Sequence, residues 1–271
     1  MRWSAAPEGP LGLTDLVGQC YPGGMSPRTT PAVARRRAGR AAPAVPAARL
    51  ADLVDAATRV FIAQGYRRTQ MADVAEAMGV AKGTVYLYVE SKEALFDLVV
   101  RCASGQEDLR AIPTLPVPTP PAGATIQEVR RRLQLGDVLP SLTAALRRKN
   151  PADVRRELDG ILRELHAVLA ANRQAIKLVD RCAADYPELA ALWFEAGRVR
   201  QLDRLARYLE MPGRRRWLRA FPDMRVAARI AIETITFWAV HRHWDPAPQP
   251  VDDRVAEDTA VAFVLGALLA E

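Results

Sequence analysis

Cysteine and histidine are scarce in this chain of 271 residues, which has three of each. Cys20, Cys102 and Cys182 lack the spacing of a metal site or a disulfide framework, so we expect free thiols in a reducing compartment. His241 and His243 stand two positions apart, and such positions do not share a helix face. This scarcity argues against a disulfide-stabilised secreted domain and against a metal centre, and we expect no cofactor.

Long apolar runs are missing as well. The longest, residues 260–270, is shorter than the roughly 18 to 20 residues that cross a bilayer, and no charged-then-apolar secretory leader opens the chain. We therefore expect a soluble, cytoplasmic protein with no membrane partner. The chain also lacks a Ser-His-Asp grouping, a phosphate-binding glycine loop and paired metal ligands, which argues against an enzyme.

What the sequence has instead is helical periodicity, and no segment alternates as a strand does. Apolar side chains recur at intervals of three and four at Leu50, Leu53, Val54, Ala57, Val60 and Phe61. Residues suited to helix ends mark further starts at Thr69, Ser91, Thr125 with Glu128, Asn150 with Pro151, and Asp252. These patterns predict an all-α protein.

Proline and glycine divide the chain into four parts. Residues 1–46 mix Pro, Gly, Ser and Arg without apolar periodicity, which predicts a disordered basic extension. Residues 47–111 carry four short helices, and five prolines predict an extended linker at residues 112–124. Residues 125–271 form a larger helical part, with helices predicted at residues 126–148 (bent near Pro140), 151–171, 173–184, 187–210, 223–243 and 252–270.

A helix-turn-helix is predicted near residues 69–89. Two helices that cross steeply need a small residue at their contact and a turn residue that tolerates positive φ, and Ala75 and Gly79 supply these. Val74, Met78, Val80 and Val85 are then the buried anchors. The residues between the anchors are expected to point outward, toward a DNA major groove: Lys82, Gly83, Thr84, Tyr86, Leu87 and Tyr88.

In this stretch the chain resembles the TetR (tetracycline-repressor) family of transcriptional regulators. The resemblance covers residues 48 to about 100 and rests on Phe61-Ile-Ala-Gln-Gly-Tyr66, Gly79-Val-x-Lys-Gly-Thr-x-Tyr-x-Tyr88 and Ser91-Lys-Glu-x-Leu95. It implies an N-terminal three-helix helix-turn-helix DNA-binding domain and a larger helical domain for ligand binding and dimerisation. Ala81 and Val89 depart from the family pattern, and Ala81 removes a common helix cap.

The resemblance also implies roles for single residues. Lys82 and Lys92 would contact phosphates, Thr69 would bond a phosphate, and Tyr86 and Tyr88 would add phosphate or base-edge contacts. Gly83 and Thr84 would approach base edges and thymine methyls. Inward packing of Tyr86, and a merely solvated Lys92, are the alternatives.

The basic charge of the chain lies mostly outside the helix-turn-helix. The net charge of the whole chain is +7, whereas residues 48–101 hold seven basic and seven acidic residues. The run Arg35, Arg36 and Arg37, with Arg40, could offset this balance as a flexible arm in a minor groove. A solvated tail without DNA contacts is the alternative.

Two segments of the C-terminal part, within residues 223–243 and 252–270, are apolar on nearly every face. A soluble helix of that kind must be covered all round, so we expect a homodimer built from these segments. Two recognition helices one DNA turn apart would then read a palindromic operator.

The family resemblance implies a pocket for a small hydrophobic ligand that releases the operator. Candidate lining residues are Leu178, Trp193, Phe194, Phe237 and Trp238, although plain core packing explains each of them as well. Three functions are therefore weighed: a ligand-released repressor, a DNA-binding regulator whose C-terminal half only dimerises or binds a protein, and a helical enzyme.

Overall fold

The computed structural model describes residues 47–103, 109–112, 114–134, 139–151 and 153–270. Within these ranges the regular structure is helical apart from two isolated bridges, which confirms the all-α prediction. None of the helices in this part of the chain has the length and apolar character needed to span a membrane. The extension predicted for residues 1–46 lies outside it.

Thirteen α-helical segments are found within the described ranges. In chain order they are α1 (Ala47–Gln64), α2 (Met71–Ala77), α3 (Lys82–Val85), α4 (Lys92–Cys102), α5 (Ala124–Gln134), α6 (Pro140–Arg147), α7 (Val154–Ala171), α8 (Arg173–Ala183), α9 (Pro187–Ala190), α10 (Arg200–Glu210), α11 (Pro212–Arg215), α12 (Met224–Ala239) and α13 (Asp253–Leu268).

Helices α1 to α4 enclose the first apolar core. All six positions selected by the periodicity of α1 are buried, as predicted. The helix is followed by Gly65, whose φ of 83° lies in the left-handed region that glycine favours. Helices α8 and α9 also contribute to this core, because α8 packs along α1.

Two of the predicted helix caps are confirmed. Ser91 Oγ accepts a hydrogen bond from Ala94 N at 3.1 Å, and the Asp252 carboxylate accepts from Arg254 N and Val255 N. Each cap depends only on residues next to it in the sequence, so local chemistry was sufficient to predict it.

Two other start signals, those at Asn150 and Thr125, are wrong. Helix α7 is capped by Asp153, not by Asn150. Helix α5 already begins at Ala124, and the hydroxyl of Thr125 donates to Asp97 Oδ1 of α4 at 2.9 Å. A hydroxyl that finds a carboxylate across the core is lost as a local cap.

The proline-rich segment between α4 and α5 lies on the first core. Val117 is buried, and its N–H donates to Tyr88 O at 2.7 Å while Glu90 N donates to Val117 O at 3.0 Å. These two bonds form a short parallel bridge with the residues that follow α3. The segment is therefore hydrogen-bonded to the residues that directly follow the helix-turn-helix.

Helices α6, α7, α10, α12 and α13 share the second core. The helix predicted at residues 187–210 is continuous, but it takes the π form over Ala191–Val199 between α9 and α10. The final helices are close to prediction, since α12 and α13 fall within the two predicted apolar segments.

A buried arginine joins the loops at one end of the second core. Arg214 is fully buried, and its guanidinium pairs with Glu157 at 2.9 Å and lies 4.5 Å from the centre of the Tyr208 ring. It also donates to the carbonyls of Ala145 and Arg148. Because an uncompensated buried charge is strongly destabilising, these contacts fix the loop before α7 against α11.

Candidate nucleic-acid interface

Helices α2 and α3 form the predicted helix-turn-helix. Gly79 has a φ of 66°, and no atom lies within 4 Å of the position a Cβ would take, so the turn needs glycine for its backbone conformation alone. The turn is closed by a hydrogen bond from Val80 N to Ala75 O at 2.9 Å. The predicted anchors face the core: Val74, Ala75 and Val85 are buried, and Met78 and Val80 pack against them.

A solvent-facing patch runs along α3 and the turn after it. Lys82, Gly83, Tyr86 and Leu87 are exposed and Thr84 is half-buried. Leu87 is 61% exposed and the adjacent Tyr86 is 41% exposed, so the patch presents apolar as well as charged groups to solvent. The outward orientation predicted for these five residues is confirmed, and their DNA contacts stay predictions.

Tyr88 is not part of this patch, and its predicted outward orientation is wrong. It is 7% exposed, whereas Tyr86 is 41% exposed. Its N–H donates to Val85 O at 3.0 Å, so the chain continues to turn after α3 and places Tyr88 three residues beyond the buried Val85. Residues at this spacing share one face, and that periodicity was the signal available in the sequence.

Thr69 is enclosed, so the phosphate contact implied for it is wrong for this structure. Its side chain is 1% exposed, and Oγ1 donates to Gly65 O at 2.7 Å. The hydroxyl therefore satisfies a carbonyl of the turn that follows α1. The first residue of α2 is preceded by Gln70, whose N–H donates to Asp73 Oδ2 at 2.7 Å, so Asp73 rather than Thr69 caps this helix.

The side chain of Lys92 also binds the turn between α1 and α2. This contradicts the phosphate contact implied for it, and it contradicts the alternative of a merely solvated lysine. Its ammonium donates to Tyr66 O at 3.1 Å and to Thr69 O at 3.2 Å. It also lies 4.5 Å from the centre of the Tyr66 ring. An ammonium group has three donors, and these contacts hold it against the turn after α1.

Tyr66 is the centre of this turn. Its ring packs against Phe96 and Tyr186 at 4.9 and 5.0 Å, and its hydroxyl donates to Glu93 Oε1 at 3.1 Å. Burial and the nearby carboxylate raise the pKa of Tyr66, while a backbone hydrogen bond lowers the pKa of Glu93. At neutral pH the phenol therefore stays protonated and the carboxylate ionised, which preserves the bond.

Two cations at the start of the helix-turn-helix were missed. Arg67 and Arg68 are exposed just before α2, as is Gln70. The doublet of arginines was visible in the sequence, but no periodicity singled it out. The predicted arm residues Arg35, Arg36 and Arg37 lie outside the described residues.

The five predicted ligand residues are not gathered around a described cavity. Leu178 is buried in the first core and Trp193 packs against it, while Trp238 packs against the second core. Phe194 and Phe237 are each 39% exposed. Among the described residues, one cavity of about 190 Å³ lies between α1, α4 and α8 and another of about 60 Å³ lies between α12 and α13, and neither is lined by these five.

Charged groups lie beside the predicted aromatic set. Arg198 pairs with Glu233 at 2.8 Å and lies 3.7 Å from Asp180, and Trp193 Nε1 donates to Asp180 at 3.4 Å. The guanidinium of Arg198 also lies 5.7 Å from the centre of the Phe194 ring. This network joins α8, the π segment and α12, and sequence patterns did not reveal it.

Comparison with known proteins finds a family match in the region that contains the helix-turn-helix. Residues 53–99 match the model described as bacterial regulatory proteins, tetR family. Over 55 residues the chain is 37% identical to the fatty acid metabolism regulator protein of Bacillus subtilis, a match that covers 20% of this chain and 28% of that protein. Over 53 residues it is 36% identical to the HTH-type transcriptional repressor KstR2 of Rhodococcus jostii, covering 20% and 26%.

Solved structures are similar over more of the chain. The ketosteroid transcriptional regulator KstR2 of Mycobacterium tuberculosis has 17% identity and a TM-score of 0.47, with 82% of this chain and 96% of that chain covered. A TetR-family regulator from Mesorhizobium loti has 21% identity and a TM-score of 0.43, with 83% and 100% covered. By contrast, the chain matches only about a quarter of the length of its curated relatives.

The two tyrosines after α3 give a matched test of this geometry. Tyr88→Ala is expected to lower the free energy of unfolding by about 3 kcal/mol, as for large-to-small changes in cores. Tyr86→Ala removes the same atoms from the surface and should change it by less than about 0.5 kcal/mol. Urea unfolding followed by circular dichroism measures both. Equal losses would contradict the burial of Tyr88.

Proposed function

We propose that this chain, whose residues 53–99 match the tetR family of bacterial regulatory proteins, is a sequence-specific repressor that binds a palindromic operator as a homodimer. The observation that carries the proposal is the solvent-facing patch of α3, where Lys82, Thr84, Tyr86 and Leu87 lie together on the second helix of a helix-turn-helix and the turn after it. The match to this family supports a transcription factor and not the helical enzyme weighed above.

Phosphate binding in this proposal is assigned to cations beside the patch. Lys82 lies within it, and Arg67 and Arg68 flank the start of α2. The arm residues Arg35, Arg36 and Arg37 are proposed to enter an adjacent minor groove. Repression, as opposed to activation, is supported by the similarity to the R. jostii transcriptional repressor.

The dimer is proposed to form through α12 and α13. One face of each helix is buried in the second core, but the opposite faces carry exposed Val226, Ile230, Val255 and Phe263. Ile230 and Phe263 line the same narrow groove between the two helices. A second copy would cover this apolar surface by two-fold symmetry, as in a four-helix interface.

A small hydrophobic ligand is proposed to release the operator, with Leu178, Trp193, Phe194, Phe237 and Trp238 near it. The exposed rings of Phe194 and Phe237 support this proposal, since they have apolar area left to bury. In the alternative function the C-terminal half only dimerises or binds a protein partner.

Selection of bound duplexes from random DNA tests the operator proposal. We expect a palindrome with half-sites about one turn apart. Lys82→Ala should weaken binding and reduce the slope of log affinity against log salt by about 1, while alanine at Arg35, Arg36, Arg37 and Arg40 flattens the slope further. Fluorescence anisotropy measures both, with Lys149→Ala, an exposed lysine beyond α6, as the control. Selection without enrichment would reject the proposal.

Aspartate substitutions test the dimer. Ile230→Asp and Phe263→Asp should give monomers in sedimentation velocity at micromolar concentration, because a carboxylate without a partner is costly to bury. Leu87→Asp is the control, since Leu87 and Ile230 are both 61% exposed but only Ile230 lies on the proposed interface. The proposed interface would be contradicted if the parent protein were a monomer, or if both variants remained dimers.

Thermal-shift screening with small hydrophobic compounds separates the two functions of the C-terminal half. A ligand that binds the folded protein raises its melting temperature, and in the proposed function it also weakens operator binding. Phe237→Ala should abolish the shift, and Trp217→Ala, at another exposed aromatic ring, should retain it. If no compound raises the melting temperature, the result favours the alternative in which this half only dimerises or binds a protein.

A further inference from the structure

The C-terminal end of α8 is fastened to the turn that follows α1. Arg67 N donates to Asp185 Oδ2 at 2.9 Å, and the guanidinium of Arg181 donates to Ala63 O at 3.3 Å. A Cβ on Gly65 would lie only 2.7 Å from the same Asp185 oxygen. The close approach of the carboxylate therefore requires a glycine there, in addition to the φ of 83°.

This turn sets the direction in which the helix-turn-helix leaves α1. Only three residues separate Arg67 from Met71, the first residue of α2. On its other side the turn is held by Lys92 of α4, through Tyr66 O and Thr69 O. A hydrogen bond that involves an ionised group is stronger than one between neutral groups. The Asp185 carboxylate and the Lys92 ammonium, which carry opposite charges, both bind the backbone of this turn.

The other contacts of α8 reach the second core. Asp180 accepts from Trp193 Nε1 and lies 3.7 Å from Arg198, which pairs with Glu233 of α12. Helix α8 is thus connected through Arg198 to α12, whose outer face is the proposed dimer surface. It contacts the end of α1 through Arg181, and Asp185, two residues after α8, contacts the turn after α1. A displacement of α8 would move the turn after α1.

We propose that Asp185 is a positioning residue for DNA binding: its carboxylate fixes the helix-turn-helix at the angle that lets the two copies of a dimer read both half-sites together. This proposal rests on the proposed function. Asp185 touches no DNA in it and acts through the backbone of Arg67, so its loss leaves each helix-turn-helix intact and loosens only the paired geometry.

The test compares a duplex holding both selected half-sites with a duplex holding one. Asp185→Ala is expected to weaken binding to the double site by about tenfold, the size of a typical coupling between sites, and to leave single-site binding unchanged. Asp185→Asn keeps an oxygen that accepts from Arg67 N and should restore most of the affinity. Arg181→Ala, which removes the second contact, should show the same selective loss.

Glu188→Ala is the matched control, because Glu188 is an exposed carboxylate on the neighbouring α9. It removes the same charge and should leave both affinities unchanged. Amide hydrogen exchange gives an independent readout, in which Asp185→Ala speeds exchange at Arg67 and leaves the amides of α2 unaffected. Equal losses on the two duplexes, or no loss on either, would overturn the proposal. A parent protein that binds neither duplex would instead overturn the proposed function.

Discussion

Four helices meet at one turn, and the structure can make that turn only at a residue without a side chain. Gly65 takes a positive φ, and the Asp185 carboxylate occupies the space where a Cβ would lie. Two carbonyls of the turn, those of Gly65 and Tyr66, accept hydrogen bonds from the Thr69 hydroxyl and from the ammonium of Lys92. The recognition helix thus depends for its direction on Lys92 of α4 and on Asp185, which follows α8 and lies 118 residues from Arg67 in sequence.

Features decided by residues next to each other in the sequence could be predicted, whereas features decided by contacts between distant parts of the chain could not. The buried positions of α1, the turn at Gly79 and the cap at Ser91 are decided by neighbours a few residues away, and all three are as predicted. Thr69 and Lys92 carry residue types that suit both a phosphate contact and an open carbonyl. The choice between these roles depends on which acceptor the fold brings within 3 Å, and no local pattern contains that information.

Tyr86 and Tyr88 show a different limit. Both follow α3 (Lys82–Val85), and a count from Val85 places Tyr88 on the buried face at a spacing of three. The family resemblance drew attention to both rings as contacts and outweighed this periodicity. The burial of Tyr88 also has a local consequence, because its carbonyl accepts from Val117. The proline-rich segment can lie against the helix-turn-helix only if that part of the chain faces inward.

The C-terminal half was the least predictable because composition does not say which apolar surface meets which. The predicted aromatic set is divided: Leu178 is completely buried in the first core, so a ligand could touch it only by opening the packing that holds α8 on α1. Trp193 donates a hydrogen bond to Asp180 beside the ion pairs of Arg198, and an apolar molecule gains nothing by displacing charged groups from their partners. Phe194 and Phe237 are partly exposed, so they have apolar surface that a ligand could cover. Apolar binding energy in the proposed function is therefore available at these two rings, next to a network that already links α12 to α8.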